Sequence, residues 1–377
     1  NPGDKIIIGR DCHISVLNGL AQLNCEPVFV LPRIDRDHQI PLGVTAEDLE
    51  PVVKANPDAR CIMVTRPGYY GTASKLEDIA KIAKVNKIPL LVDEAHGAHF
   101  RFHKKLPPTA MEAGADLCVQ SLHKTLPALT QTALLHGKKN GMIPEKRIEK
   151  TVSMVQTTSP SYILMASMDI ARDMMEKHGE YLYGKLWQMI GDFDNKLCRE
   201  TAVRRYKCSY QGFDNDFTRI VLNFEALGIS GFKAEELLRT RYGIVAEMAD
   251  PGNVVLIATP FHTSEDFDKL ISALKNISLE FRTVGEQRKK PVFPPWPDYV
   301  PERIKSVREA LFADKRTLPI KKSAGEISGG FVTPYPPGIP LICPVEMITA
   351  DMADFVSALF ECGYAVHGIN DGNIEVI

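Results

Sequence analysis

Leu91-Val92-Asp93-Glu94-Ala95-His96-Gly97-Ala98-His99 and, downstream of it, Gln120-Ser121-Leu122-His123-Lys124-Thr125 decide the reading of this chain. In each, an apolar run ends in a chemically active group, an acid in the first and Ser-x-His-Lys in the second. Two such runs suit neighbouring strands of an open α/β sheet, which keeps its ligands at the carboxyl ends of its strands. A carboxylate and an amine brought together there suit pyridoxal 5'-phosphate. Lys124 would hold the cofactor aldehyde as a Schiff base, and Asp93 would keep the pyridine nitrogen protonated, so that the ring can accept electrons from a substrate carbanion.

The surroundings have the periodicity such a sheet needs. Lys5 to Ile8, Pro27 to Leu31, Cys61 to Val64 and Pro89 to Val92 read as buried strands. Between them, helices are expected over His13 to Leu23, over Thr45 to Lys54 with Asp48 in an imperfect capping box, and over Ser74 to Asn86, where Leu76, Ile79, Ala80 and Ala83 share a face. Near-continuous apolar strands separated by helices predict an α/β fold with a mostly parallel sheet covered on both sides. Further on, a helix from about Ser161 to His178 is expected to end at Gly179 as its C-cap and to resume from Gly184 to Leu197. A small α+β unit follows, with strands at Phe217 to Leu222 and Val254 to Ile257 and helices at Lys233 to Thr240 and Ser264 to Ile277. Proline crowds Lys290 to Pro297 in a stretch, Lys289 to Pro301, that reads as a linker, and Pro334 to Pro340 reads as an extended, turn-rich path. This organisation predicts a large domain over 1–180, a small α+β domain over 181–285 and a C-terminal domain over 286–377.

Composition narrows the function. The chain has 377 residues, 44% hydrophobic and 24% charged, with a formal net charge of -2. It can bury sizeable cores, and it offers no electrostatic reason to bind nucleic acid or an acidic membrane surface. No apolar run approaches the roughly 20 residues of a membrane span, and the reading is a cytoplasmic protein. The eight cysteines are scattered, with no Cys-x-x-Cys pair, so neither a disulfide framework nor a zinc site is expected.

Simpler readings compete at each candidate residue. A lone lysine at a strand end is usually a solvated side chain, but Ser121 and His123 beside Lys124 can both donate to a phosphate. Asp93 could equally cap a helix. Ala95 is small enough to let a flat ring pack against the backbone. His96, His99 and His103 are spaced in a way that invites a metal, yet a genuine site would usually add a nearby cysteine or carboxylate at helical spacing and needs one face to collect three ligands, and no metal is expected. Spacing alone makes His13 an ordinary histidine at a helix start. Asp93-Glu94-Ala95-His96 also spells the acidic box of one helicase class. That reading needs an upstream phosphate loop, and the nearest match, Gly179 to Leu186, lies downstream and ends in leucine where a hydroxyl should bind magnesium.

Taken with Thr158-Ser159-Pro160-Ser161-Tyr162 and Tyr335-Pro336-Pro337-Gly338-Ile339-Pro340, these motifs resemble the ornithine/lysine/arginine decarboxylases, pyridoxal phosphate enzymes with the aspartate aminotransferase-like fold. The resemblance runs from residue 3 to about 346 and is closest to the shorter bacterial arginine/lysine decarboxylase-like members. It implies that Lys124 is the Schiff-base lysine, Asp93 the pyridine-nitrogen partner and Ala95 the ring support, with Ser121 and His123 as phosphate contacts. His13 matches the histidine that stacks on the ring and faces the departing carboxylate, and His96 the second ring-side residue. The implied activity is decarboxylation of arginine, lysine or ornithine to an amine that feeds polyamine metabolism. Thr157-Thr158-Ser159 resembles a segment that reaches the neighbouring subunit's site, which implies a homodimer or higher homo-oligomer with active sites at the interface. Three departures stand out. Ile14 replaces a usual lysine, and Arg66 replaces an asparagine that commonly lies near the cofactor's ring hydroxyl, which would put a permanent charge there. Asn1-Pro2-Gly3-Asp4-Lys5 corresponds to the strand after the family's phosphate-binding helix, so the Gly-Thr/Ser loop that cradles the phosphate is expected to precede residue 1. A non-catalytic paralogue or fragment that keeps the fold for subunit association is the alternative.

Overall fold

A computed structural model describes residues 1–282, 296–304, 306–335, 338–361 and 363–377. The first lobe runs through β1 (Lys5–Gly9), α1 (Ile14–Leu23), β2 (Glu26–Val30), the hairpin β3 (Arg33–Asp35) and β4 (Ile40–Gly43), α2 (Ala46–Ala55) and β5 (Cys61–Thr65). It continues with β6 (Thr72–Ser74), α3 (Leu76–Val85), β7 (Leu90–Asp93), α4 (Ala110–Ala113), β8 (Leu117–Ser121), α5 (Leu122–Thr125), β9 (Ala133–Gly137) and α6 (Glu145–Val155). Its sheet has the order β2-β1-β5-β7-β8-β9, with every pairing parallel except β8 with β9. Chain order reverses between β1 and β5, and the crevice at such a switch point is where an open sheet takes a ligand.

Local chemistry accounts for the helix starts. Thr45 donates its backbone N–H and its hydroxyl to Asp48 Oδ2, at 3.0 and 2.6 Å, which fixes the entry to α2. At α1 the cap is His13, whose Nδ1 accepts from Ser15 N at 3.2 Å. Leu76, Ile79 and Ala83 of α3 pack with Ile62, Val64, Leu90 and Val92 into one apolar layer under the sheet. Fully burying one such aliphatic side chain contributes about 1.5–3 kcal/mol.

The expected break at Gly179 does not occur. α7 (Tyr162–Glu200) is a single helix of 39 residues, and residue 180 lies within it. Gly179 is there for contact instead: a Cβ at this position would stand 2.8 Å from Phe102 Cβ, so the absence of a side chain lets the helix approach the 100–102 turn. The second half of α7 buries Leu186, Ile190, Phe193 and Leu197 in the core of the next unit. That unit contains β10 (Arg204–Tyr206), β11 (Phe213–Asn215), β12 (Arg219–Asn223), α8 (Gly231–Tyr242), β13 (Met248–Ala249), β14 (Asn253–Ile257) and α9 (Ser264–Arg282). Its sheet, β10-β12-β14-β13, is antiparallel throughout, and β11 crosses back to pair with β6 of the first lobe.

The proline-rich stretch 290–297 lies outside the described residues except for Trp296 and Pro297, as do Pro336 and Pro337 of the second proline segment. The last unit holds α10 (Val307–Phe312), β15 (Arg316–Pro319), β16 (Thr333–Tyr335), α11 (Ala350–Glu361), β17 (Ala365–His367), β18 (Ile369–Asn370) and β19 (Asn373–Val376) around a core of its own. A buried ion pair docks it on the first lobe. Arg10 donates to both carboxylate oxygens of Glu346, at 2.6 and 2.7 Å, and to Leu341 O at 2.9 Å. This docking brings Gly338 and Ile339 to the ends of the sheet strands. The seven cysteines among the described residues are free.

Candidate active site

A cavity of about 260 Å³ opens at the carboxyl ends of β1, β5, β7 and β8. Asp11 and His13 follow β1, Thr65 ends β5 with Pro67 and Tyr69 just after it, Asp93, Ala95 and His96 come from the end of β7, and Ser121 and Lys124 from the end of β8. Six of the seven residues singled out in the sequence therefore line one space. His123 does not line it; its Nδ1 lies 2.8 Å from Thr132 O. A carbonyl can only accept, so Nδ1 carries the ring proton and, in the neutral ring, Nε2 is left as an acceptor.

The strand ends fix the chemical groups. Asp93 Oδ1 accepts from Ala95 N at 3.1 Å, a local turn that closes β7 and sets the carboxylate at the cavity. Lys124 stands in the one-turn α5, half-buried, with Nζ 3.3 Å from His96 Nε2. Burial lowers its affinity for a proton, the nearby carboxylates of Asp93 and Glu247 oppose that effect, and Arg219 reinforces it; the net direction is downward. Burial is also the largest influence on His96, with Arg219 and Lys124 adding repulsion, so its pKa falls to about 2 and the ring is neutral. His13 is exposed, and its Nδ1 lies 2.8 Å from Ser15 Oγ.

Three side chains near the cavity are absent from the sequence-based set. Asp11 is pushed up to about 7 by burial, with the charge of Asp93 adding to it, and its Oδ1 is buried without a partner. Tyr69 stacks at a tilt on His96, with ring centroids 4.6 Å apart. Arg219 arrives from the second unit at the start of β12; its Nη2 donates to His96 Nδ1 at 2.8 Å, and its Nε and Nη1 are buried without a partner. Asp11 had a signal in sequence, since it follows the apolar run of β1 much as Asp93 follows that of β7. Arg219 had none, because its placement depends on a unit distant in the chain.

Arg66 is not at the cavity. It is 1% exposed and points beneath the strand ends, where Nε donates to Ser74 O at 2.8 Å and Nη1 to Pro108 O at 2.8 Å and to Glu94 Oε1 at 3.1 Å. The expected charge beside a ring hydroxyl is thus replaced by a structural ion pair, because Glu94 offers the buried guanidinium a carboxylate and the cavity wall does not. His96, His99 and His103 diverge in their partners. His99 Nε2 lies 3.1 Å from Asp216 Oδ2, and His103 Nδ1 accepts from Lys105 N at 3.2 Å.

Residues 1–213 match the family model described as Orn/Lys/Arg decarboxylase, major domain, and residues 287–371 match that for the C-terminal domain of the same family. The chain belongs to the Orn/Lys/Arg decarboxylase family. A relative from Bacillus subtilis (strain 168), an arginine decarboxylase, is 33% identical over 385 residues, covering 100% of this chain and 77% of its own. Among solved structures, the constitutive lysine decarboxylase of E. coli superposes with a TM-score of 0.81 at 20% identity, over 100% of this chain and 67% of that one. Alanine–glyoxylate aminotransferase from Nostoc superposes with a TM-score of 0.53 at 15% identity, over 74% of this chain and 76% of that one. The fold is α/β of the aspartate aminotransferase-like type seen in these decarboxylases and aminotransferases. No helix among the described residues is long and apolar enough to cross a membrane.

The residues present fit the cofactor that this family implies. An amine of lowered proton affinity and a carboxylate share one cavity. The unpartnered Asp11 Oδ1 and the Nε and Nη1 of Arg219 supply an acceptor and two donors near it for a polar group.

Proposed function

We propose that the protein decarboxylates a basic amino acid, with pyridoxal 5'-phosphate held on Lys124. What carries the reading is the convergence of Lys124, Asp93 and His13 on one cavity at the switch point of the sheet. When bound, pyridoxal phosphate supplies an electron sink for the pair left behind by departing carbon dioxide. Lys124 is the amine that would take the aldehyde. Asp93, a carboxylate at the end of β7, would hold the proton on the pyridine nitrogen by charge and hydrogen bonding. Ala95 leaves room for one face of the ring, while His13 and His96 would flank it, and Ser121 would take the phosphate, His123 being turned instead to Thr132 O. His13 keeps Nδ1 as an acceptor toward Ser15 N, which leaves Nε2 to carry the proton of the neutral ring. With a second proton on Nδ1 directed to Ser15 Oγ, His13 would deliver the Nε2 proton to the substrate α-carbon.

The similarity to an arginine decarboxylase along the whole chain makes arginine the first substrate to test. The product amine would enter polyamine synthesis in the cytoplasm. A homodimer is part of the proposal. The 157–159 loop is exposed, and Met154, Val155, Tyr162, Ile163 and Ile170 leave apolar surface open on either side of it. We further propose the division into a cofactor domain over 1–180, a small domain over 181–285 and a C-terminal domain over 286–377. The test is release of carbon dioxide from carboxyl-labelled arginine, lysine and ornithine by the dimeric protein supplied with pyridoxal phosphate. Release from one of the three that Lys124→Ala abolishes is the expected result. No release from any of them would overturn the reading.

A further inference from the structure

Burial and Arg219 lower the proton affinity of Lys124 against the charges of two carboxylates. An ammonium has no lone pair to offer a carbonyl carbon, so the amine must be neutral to take up an aldehyde. Asp93 and Glu247 both favour the ammonium. We propose that Arg219, acting through His96, holds the Lys124 amine in its neutral, hydrogen-bond-accepting form. This rests on the reading of Lys124 as the cofactor lysine.

A guanidinium can only donate. Arg219 Nη2 stands 2.8 Å from His96 Nδ1, so that nitrogen must be bare, and the ring proton of a neutral imidazole is then on Nε2. Nε2 in turn lies 3.3 Å from Lys124 Nζ. An N–H facing an amine at that distance is favourable only if the amine offers its lone pair. The ammonium would set donor against donor. Arg219 thus fixes the tautomer of His96, and the tautomer selects the protonation state of Lys124.

Arg219 is itself held rigidly. It is 2% exposed, and a Cβ on Gly71 would stand 2.6 Å from Arg219 Cβ, so the positive φ of +80° at Gly71 accompanies an approach that no larger residue would allow. Asp216 provides the neutralising charge nearby; its Oδ1 accepts from Thr218 N and Oγ1 at 2.9 and 2.7 Å, and its Oδ2 faces His99. Tyr69 covers the His96 ring. Among the described residues the charged and titratable groups around Lys124 include Asp93 and His96 from the β7 end, Asp11 and His13 after β1, Tyr69 after β5, Arg219 from β12 and Glu247 ahead of β13. The depressed proton affinities of Lys124 and His96 agree with the donor–acceptor count. Arg219 acts as a positioning residue, contributed by a different unit of the fold from the lysine it governs.

The test measures the titration of Lys124 in the full chain after removal of cofactor, by trace acetylation across pH and peptide mass spectrometry, with the other lysines as internal references. Wild type and Arg219→Lys, which keeps the charge and a donor, should titrate below ordinary lysines. Arg219→Met should raise the midpoint by at least about one unit, which is a tenfold loss of acetylation at pH 8. An unchanged midpoint in a folded Arg219→Met protein would overturn the proposal. If that variant does not fold, the imidazole ¹⁵N shifts of wild type decide: His96 should hold its proton on Nε2 and remain neutral at pH 5, whereas a proton on Nδ1 at pH 7 would overturn the mechanism. Borohydride labelling separates this inference from the reading beneath it. A pyridoxyl label on Lys124 with ordinary titration defeats the role of Arg219 alone, and a label on another lysine defeats the cofactor assignment.

Discussion

Replacing Arg66 by leucine should cost about 3–5 kcal/mol of stability, the usual penalty for breaking a buried ion pair from one side. Arg66 and Glu94 are both fully buried and 3.1 Å apart. The substitution removes the donors that now satisfy Ser74 O and Pro108 O, and it leaves the Glu94 carboxylate with Gln120 Nε2 at 2.7 Å and Ala110 N at 2.9 Å as its strong donors. Glu94 escapes part of the penalty by protonation. Burial already lifts it to about 7, against the opposing effects of Gln120 and Arg66, and loss of Arg66 lifts it further. The folded state then holds a proton that the unfolded state gives up near the ordinary carboxylate value, so stability falls as pH rises through that window. In wild type the window closes near pH 7, whereas in the variant it extends higher, so the deficit relative to wild type should widen between pH 6 and pH 9. Guanidinium unfolding followed by circular dichroism at the two pH values measures it. Arg66→Leu/Glu94→Gln, which also removes the orphaned charge, should recover a large part of the loss at pH 9. A deficit below about 1 kcal/mol at both pH values, or one that shrinks as pH rises, would refute the reasoning.

Asp93→Asn should retain bound cofactor and lose turnover by ~10²-fold or more, because an amide stabilises a protonated ring nitrogen far less than a carboxylate does. Steady-state kinetics beside a cofactor titration would show it, and near-normal turnover would remove Asp93 from the mechanism. Gly179→Ala sets two effects against each other. Helix propensity favours alanine by about 1 kcal/mol, but forcing a methyl to 2.8 Å from Phe102 Cβ costs about 1–3 kcal/mol. The variant should be less stable in thermal unfolding, and a stabilised protein would show that the helix does not need this close approach.

The apolar strands and amphipathic helices of the first lobe were legible in the sequence because their periodicity is local, and so was the cavity's lysine and aspartate, since each ends an apolar run. Gly179 misled for a physical reason. Glycine both ends helices and admits close neighbours, and only the position of Phe102 tells which use applies. Arg66 misled because a motif position fixes the backbone and not the direction of a long side chain; Glu94 drew it below the cavity. Arg219 was invisible because its partner His96 is separated from it by the whole of α7.

Reduction of the protein with borohydride in the presence of pyridoxal phosphate, followed by proteolysis and mass spectrometry of the pyridoxyl peptide, tests the central claim most directly. The label is expected on Lys124, in the peptide containing Gln120-Ser121-Leu122-His123-Lys124-Thr125, and it should vanish in Lys124→Ala while circular dichroism shows the fold retained. A stoichiometric label on any other lysine, or none in a folded protein, would contradict the account.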